Sequence, residues 1–192
     1  NNIIPFKKPK KYIAGEETAV CEAIEGKAPE PRVKPPYLTE KGVFGKPTLI
    51  HNVETFYFIS KILKGEYKNT RFYSLSGDIK NPGVFELPER MNISDILKET
   101  FNYPKKEFFV KAGGGIWGRV FLEKELKQPL CGISSIIVYD KKKTKPLYLM
   151  RQWAEFLDEG NCNKCVPCRE GMYRLKETLA KDKIDTELLK DL

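Results

Sequence analysis

The spacing of the apolar residues predicts helices in the first and last parts of the chain. Ala19, Val20, Ala23 and Ile24 recur at helical intervals, and Gly26 supplies a stop for the helix that they form. The same spacing predicts further helices at 56–63, 93–100, 147–157 and 169–181, and the beginning of another at 184–188.

From Phe72 the pattern changes to short strands and turns. We predict strands at 73–77, 84–87, 108–111 and 136–139, with a hairpin turn at Asn81-Pro82-Gly83, and the end of a short strand at 12–14. The run 113–118 fits the G-x-G-x-x-G pattern. β-favouring residues follow it, so we interpret it as a glycine loop and not as a dinucleotide-binding turn. The fold class is therefore α+β.

Composition narrows the class of protein. The 192 residues are 41% hydrophobic, with a net charge of +8 and five cysteines. No apolar run reaches the ~18 residues of a membrane span, so we expect no direct membrane insertion. The lysine runs 7–11 and 141–143 lack interleaved aromatic residues, which favours solvated loops or acidic partner subunits over nucleic acid.

Clustered cysteines indicate a reducing, cytoplasmic compartment. The start of the chain, with no Met and no signal segment, favours a mature or excised fragment.

Three cysteines form the most informative motif. Cys162, Cys165 and Cys168 follow a C-x2-C-x2-C spacing, and thiolates at that spacing can all turn inward from one loop to hold a [4Fe-4S] cluster. Zinc usually takes separated pairs of cysteines, and a disulfide between cysteines this close is strained. The spacing favours the cluster, with zinc or a redox thiol as the alternatives.

The residues around these cysteines resemble a known signature. Residues 159–171 are similar to the E-S-C-G-x-C-x-P-C-R-E-G motif of the flavin-containing, NADH-oxidising subunit of respiratory complex I and of its relatives in NAD-linked hydrogenases and formate dehydrogenases. The chain departs from it at Asn161 and Asn163. The family's fourth cysteine follows the third, and no cysteine follows Cys168 here, so we expect a missing fourth ligand and a labile metal. Cys21 and Cys131 are the spare thiols, and Cys21 fits a small buried apolar residue.

Three further blocks resemble the same family in the same order. They are residues 12–27, residues 31–37 and residues 42–55. The resemblance implies that Gly15 and Glu16 lie against FMN and that Asn52 and Thr55 hydrogen-bond its phosphate side. His51 stands where the family has Asn, and a lone His is more often structural than catalytic.

The same blocks imply where NADH would lie. Glu17 would face the flavin and the nicotinamide and influence hydride transfer. Lys34 would reach the dinucleotide, and Tyr37 would supply an aromatic wall. We expect Glu17, Lys34, Tyr37, Gly15 and Asn52 to share one concave surface.

The resemblance also implies a division into three modules. We predict the C-terminal part of an FMN/NADH-binding domain at 1–69, a β-grasp domain of the soluble-ligand-binding type at 70–145, and a truncated helical iron–sulfur domain at 146–192. Nothing here resembles the family's glycine-rich flavin segment, so we expect the isolated chain not to oxidise NADH.

Two functions follow from this division. The first is a fragment or short relative of an NADH-oxidising flavoprotein subunit that passes electrons from NAD(H) through FMN to a [4Fe-4S] cluster. Its partners would be a thioredoxin-like [2Fe-2S] subunit and a ferredoxin-like iron–sulfur subunit, which could hold it at the membrane periphery. The alternative is a non-catalytic docking or assembly subunit that keeps the β-grasp and helical modules.

Overall fold

Two units make up the fold. The computed structural model describes residues 3–114, 118–128, 132–181, 184 and 186–191. One unit is formed by residues 1–51 and 150–192, and the other by residues 52–149. Cys131 and the middle of the glycine run lie outside the described residues.

The described elements include every helix and strand that the spacing predicts from residue 17 onward. The helices are α1 Glu17–Ile24, α2 Val53–Leu63, α3 Ile93–Glu99, α4 Pro146–Gly160, α5 Val166–Ala180 and α6 Thr186–Asp191, and the strands are β1 Thr70–Gly77, β2 Gly83–Pro88, β3 Phe108–Ala112, β4 Arg119–Leu122 and β5 Ser135–Asp140. The mixed helix-and-strand content is confirmed. β4 lies among the β-favouring residues noted after the glycine run, for which no strand bounds were predicted.

A five-stranded sheet in the order β2-β1-β5-β3-β4 dominates the unit of residues 52–149. β1 and β5 are parallel neighbours, with Leu75 opposite Ile136, and the other neighbouring pairs are antiparallel. Leu75, Ile136 and Val138 are fully buried, together with Ile93 and Leu97 on α3. Packing of α3 on one face of the sheet therefore builds the main apolar core of this unit.

Side-chain caps fix where two helices of this unit begin. Asn92 accepts a hydrogen bond from the N–H of Asp95 at 2.9 Å and so caps α3. Asn52 does the same for α2, accepting from the N–H of Glu54 at 3.1 Å. Because Asn52 caps it, α2 begins at Val53, three residues before the predicted start.

The strand expected at 12–14 is wrong. Ile13–Gly15 is a turn of 3₁₀ helix, in which the N–H of Gly15 donates to the carbonyl of Tyr12 at 2.9 Å. The N–H of Ala14 likewise donates to Lys11, so both amides are used within the turn and are not offered to a neighbouring strand.

The glycine run joins β3 to β4 as an antiparallel pair, with Ala112 opposite Arg119. A strand thus follows Gly118, where a dinucleotide-binding turn would open a helix. Gly118 has φ of +129°, and a Cβ there would lie 2.2 Å from the carbonyl oxygen of Ala112. The interpretation as a non-nucleotide loop agrees with the described ends of this segment.

None of the helices described combines the length and the apolar character needed to cross a bilayer.

Candidate cofactor and cluster site

The start of α1 is organised by Glu16. Its carboxylate accepts hydrogen bonds from the backbone N–H groups of Thr18 and Ala19, both at 2.9 Å, and from the Thr18 hydroxyl. Burial raises the pKa of Glu16, but these hydrogen bonds and the nearby Lys34 ammonium outweigh it, so the pKa is lowered. Glu16 is therefore held as a carboxylate at the positive end of the helix.

Lys34 lies between two carboxylates. Its ammonium group donates to Glu17 and lies 3.7 Å from Glu16. The hydrogen bond to Glu17 raises the pKa of Lys34. The sequence blocks that contain Glu17 and Lys34 are thus brought together as expected, and we call Glu16, Glu17 and Lys34 the carboxylate–lysine set.

Arg32 fastens the loop that carries Lys34 onto α1. Its guanidinium group donates to Glu22, to Glu25 at 2.7 Å and to the carbonyl of Gly42 at 3.0 Å. Its backbone N–H donates to the buried Thr18 hydroxyl at 2.8 Å. Sequence reasoning missed this cluster. The signal was available in Glu22 and Glu25, which lie three residues apart on one side of a predicted helix.

Glu25 has the largest pKa shift of this cluster. Hydrogen bonds from Lys27 and Arg32, with one from the N–H of Phe44, lower its pKa to about 2. Glu25 is thus ionised at neutral pH, and it connects α1 to the loops that carry Arg32 and Phe44.

Gly15 and Tyr37 are both exposed. A Cβ built on Gly15 meets nothing within 4 Å, so a flat cofactor can approach the backbone there. Tyr37 is exposed, and its N–H donates to Glu40 at 3.0 Å. The peptide bonds Lys34–Pro35 and Pro35–Pro36 are cis.

The remaining predicted flavin contacts lie around the beginning of α2. Asn52 and Thr55 are exposed, as is the neighbouring His51. The Asn52 side chain caps α2, which gives it a structural function in addition to the predicted one. The shared surface of Asn52 with Glu17 and Lys34, and the cofactor contacts of these residues, remain predictions.

The cysteine loop begins where α4 ends at Gly160. A Cβ at Gly160 would lie 2.7 Å from the Cβ of Tyr12, so glycine permits a close approach of the chain at this point. Asn161 accepts from the N–H of Asn163 at 2.6 Å, and Asn163 has φ of +58°. Asn is the residue after Gly that adopts this conformation most readily, so Asn163 can replace the Gly of the signature without losing the turn.

The three cysteines lie at the beginning of α5. Cys165 is the N-cap of α5, and Cys168 lies in its first turn. Cys162, Cys165 and Cys168 are free thiols, and Cys165 and Cys168 are exposed. Cys21 is free and fully buried, which agrees with its interpretation as a small core residue.

The donor set fits an iron–sulfur cluster in its chemistry. Three thiols without disulfide partners lie in one seven-residue loop, which matches the ligand type that clusters take. Within the described ranges, no three His, Cys, Asp or Glu side chains are gathered closely enough to hold a metal ion. The loop therefore contains three free thiols, but among the described residues they do not form a metal-binding group.

Salt bridges and hydrogen bonds hold the cysteine loop to its surroundings within one unit. Lys164, between two of the cysteines, lies 3.3 Å from Glu30 in the loop that leads to Arg32. α4 and α5 run antiparallel: Arg151 donates to the carbonyl of Leu179 at 2.7 Å, and Lys176 contacts Asp158 at 3.0 Å. The cysteine loop is therefore the tip of a helical hairpin.

The helical hairpin thus presents three thiols at its tip, and comparison with known proteins shows what it is similar to. Residues 148–191 match the family described as the NADH-ubiquinone oxidoreductase-F iron-sulfur binding region. The chain is homologous to the F subunit of NADH-quinone oxidoreductase and carries the iron–sulfur binding region of that protein.

Individual relatives support this assignment over most of the chain. The second F subunit of NADH-quinone oxidoreductase from Rhizobium meliloti is 33% identical over 185 residues, covering 84% of this chain and 44% of the relative. The F subunit from Aquifex aeolicus is 30% identical over 190 residues, covering 88% of this chain and 44% of the relative. The chain thus spans less than half the length of these curated relatives.

A solved structure is similar in fold. A chain in the crystal structure of an NAD+-reducing [NiFe]-hydrogenase in its H2-reduced state superposes with a TM-score of 0.80 at 27% identity, covering 88% of this chain and 32% of that chain. The arrangement of sheet and helices is therefore shared with a redox enzyme.

Proposed function

We propose that this chain is the electron-transfer part of an NADH-oxidising flavoprotein subunit. The observation that carries the proposal is that the cysteine loop and the carboxylate–lysine set occur in one unit of a chain homologous to the F subunit of NADH-quinone oxidoreductase. FMN, when bound, accepts a hydride from NADH, and a [4Fe-4S] cluster accepts single electrons.

The chain's own residues would hold and orient these groups. Gly15 leaves space for the flavin beside Glu16, and Asn52 and Thr55 would contact the flavin phosphate. Glu17 would lie near the nicotinamide as a fixed negative charge.

Lys34, held between Glu16 and Glu17, would donate to the dinucleotide, and Tyr37 would flank it. Because the ammonium is already positioned by two carboxylates, little side-chain entropy remains to be lost on binding.

Cys162, Cys165 and Cys168 would ligate three irons of the cluster. Their place at the beginning of α5 would favour the negative charge of a thiolate-ligated cluster. The identity of the fourth ligand is outside this proposal, and a partly ligated cluster would be labile.

The sheet unit supports a second part of the proposal. The order β2-β1-β5-β3-β4, with one parallel central pair and α3 across one face, is the arrangement expected of a β-grasp domain at 70–145. We propose that it mediates assembly with other iron–sulfur subunits of an NADH-dependent complex, in the cytoplasm or at the membrane periphery.

The test is made on the complex purified through this chain from its source cells. We expect NADH to reduce an iron–sulfur signal in electron paramagnetic resonance. The variant Lys34→Gln should raise KM for NADH tenfold or more, since a charge-assisted hydrogen bond contributes about 1.5–3 kcal/mol. Lys41→Gln, an equal loss of charge in an exposed loop, is the matched control.

Two results would contradict the proposal. One is a complex whose iron–sulfur signal does not respond to NADH, and the other is an equal KM in the Lys34 and Lys41 variants. A complex that assembles fully with neither flavin nor iron would favour the docking subunit instead.

A further inference from the structure

Two lysine-rich segments that are far apart in the sequence meet at one end of the sheet. β3 and β5 are antiparallel neighbours, so the beginning of β3 lies beside the end of β5. The N–H of Lys141, directly after β5, donates to the carbonyl of Glu107, directly before β3, at 3.1 Å. This pairing brings Lys105 and Lys106 next to the lysine run 141–143.

A cavity of about 460 Å³ lies at this end of the sheet. Three lysines, Lys105, Lys106 and Lys143, line it, and Ile79 and Pro104 add apolar surface. Sites for small molecules usually have volumes of about 300–1,000 Å³. We call it the lysine cavity, and all of its lining residues belong to the unit of residues 52–149.

Hydrogen bonds fix the backbone around the lysine cavity. Gly77 has φ of +94°, and a Cβ there would lie 2.1 Å from the carbonyl oxygen of Val138, so glycine is required where this turn approaches β5. The N–H of Asp78 donates to the same carbonyl at 2.8 Å, and the N–H of Thr144 donates to the carbonyl of Asp140 at 3.0 Å. Because the walls are already ordered, little backbone entropy remains to be lost when a ligand binds.

Three carboxylates also line the lysine cavity, and two of them are used by the protein itself. Asp78 accepts hydrogen bonds from the N–H of Asp140 at 3.0 Å and from the Lys143 ammonium at 3.2 Å. Asp140 accepts from the N–H of Lys142 at 2.8 Å. The third, Glu107, is exposed. The two aspartates therefore hold the wall together and neutralise one of the lysines.

The other lysines at this end of the sheet are not neutralised. Lys105 and Lys106 are exposed and form no ion pair within the part of the chain that the structure describes, and the same is true of Lys141 and Lys142. Gathered ammonium groups repel one another, and a bound anion relieves that repulsion. Lysine binds phosphate as a point charge, whereas bidentate recognition of a carboxylate is characteristic of arginine. The cavity is therefore suited to a phosphate group.

We propose that the lysine cavity binds a small ligand through a diphosphate group, with Lys105 and Lys106 donating to its oxygens. A diphosphate offers oxygens to two adjacent ammonium groups, and the cavity is larger than a single phosphate needs. The group belongs either to inorganic diphosphate or to a nucleoside diphosphate. This binding function goes beyond the proposed electron transfer and does not depend on it.

The experiment is isothermal titration calorimetry of the full chain with sodium pyrophosphate at constant ionic strength. We expect saturable binding that is weakened about tenfold or more in the double variant Lys105→Gln/Lys106→Gln, because charge-assisted hydrogen bonds are lost. The control is Lys7→Gln/Lys8→Gln, an equal loss of charge from another adjacent exposed pair. Its affinity should stay within about twofold of that of the unchanged chain, since distant exposed charges are screened.

Two further measurements locate the ligand and identify its source. Nuclear magnetic resonance should show that pyrophosphate shifts the amide signals of residues 77–79, 105–107 and 141–143. Titration with adenosine diphosphate separates the sources: tighter binding than pyrophosphate assigns a nucleotide, and equal or weaker binding assigns the free diphosphate.

Four results would overturn the proposal. They are no saturable binding of pyrophosphate, equal affinity in the two double variants, amide shifts confined to other residues, and sulfate binding as tight as that of pyrophosphate, which would show a general attraction of anions. All four replaced lysines are exposed, so neither double variant should unfold the chain. These readouts need neither iron nor NADH, so their failure and the failure of the proposed function are distinguishable.

Discussion

The carboxylate–lysine set and the cysteine loop belong to the same unit, but they differ in how far each is assembled. Lys34 already contacts Glu17 and lies 3.7 Å from Glu16. The three thiols share one short loop, yet within the described residues they are not drawn into a metal-binding group. Charges and hydrogen bonds thus join the carboxylate–lysine set, whereas nothing comparable joins the thiols among the described residues.

The difference follows from charge. An ammonium group and two carboxylates attract one another, and backbone N–H groups of α1 fix one of those carboxylates. Three thiolates repel one another, so only a cation placed between them makes their approach favourable. We infer that the cluster would complete the cysteine loop, whereas the carboxylate–lysine set would receive its ligand already formed.

The largest expected effect is on the cysteine side of this comparison. Cys165→Ser should abolish iron incorporation, because it removes a central thiolate of the loop. Iron analysis after anaerobic reconstitution measures the effect. Cys21→Ala, which removes a buried thiol outside the loop, should retain the iron content of the unchanged chain. Equal iron in both variants would show that the loop does not hold the metal.

A smaller effect is expected for a change in the carboxylate–lysine set. Glu16→Ala removes the cap of α1 and should lower the free energy of unfolding by about 1 kcal/mol. Urea denaturation followed by circular dichroism measures it. Glu99→Ala, at an exposed position of α3, is the control. A change for Glu16→Ala no greater than that of the control would contradict the capping function.

The pH dependence of stability tests the ion pairs of Arg32 with Glu22 and Glu25. Glu25 has a pKa of about 2 in the fold, against a value of 4.5 for an unperturbed Glu. Its stabilising contribution is therefore complete above about pH 5, and it is lost as the pH falls from 4.5 toward 2. Glu25→Gln should flatten this part of the unfolding profile, and Glu99→Gln should leave it unchanged. An unaltered acid limb in Glu25→Gln would be contrary to this expectation.

Much of this arrangement could be predicted from the order of residue types, and the missed parts have physical causes. Asn92 signals the start of α3 because a cap is a local interaction, and the apolar periodicity of α4 and α5 is independent of distant partners. The bounds of β4 were not predicted, although its residues are β-favouring, because a strand of only four residues is defined by its pairing with β3.

The candidate site shows the same contrast between features with a local sequence signal and features that depend on tertiary contacts. The Cys spacing identifies ligands, since one loop contains them all. The Arg32 bonds to Glu22, Glu25 and Gly42 join segments up to ten residues apart, and they depend on tertiary geometry. No local signal in the sequence marks the contact of Lys164 with Glu30.

That contact gives the smallest expected effect. Lys164 and Glu30 are both largely exposed, so their ion pair should stabilise the chain by no more than about 0.5 kcal/mol. Lys164→Gln should therefore unfold at nearly the same urea concentration as the unchanged chain. Its cluster signal should nevertheless shift in reduction potential, because a positive charge next to two ligands is removed. An unchanged reduction potential would show that the charge of Lys164 does not act on the cluster.

The central claim is that Cys162, Cys165 and Cys168 hold an iron–sulfur cluster, and one measurement tests it directly. The chain is reconstituted anaerobically with iron and sulfide, reduced with dithionite and measured by electron paramagnetic resonance with parallel iron analysis. We predict the signal of a reduced [4Fe-4S] cluster with about four irons per chain, which is lost in air and missing when all three cysteines are replaced by serine. A chain that takes up zinc but no iron, or an unchanged iron signal in the triple variant, would contradict this claim.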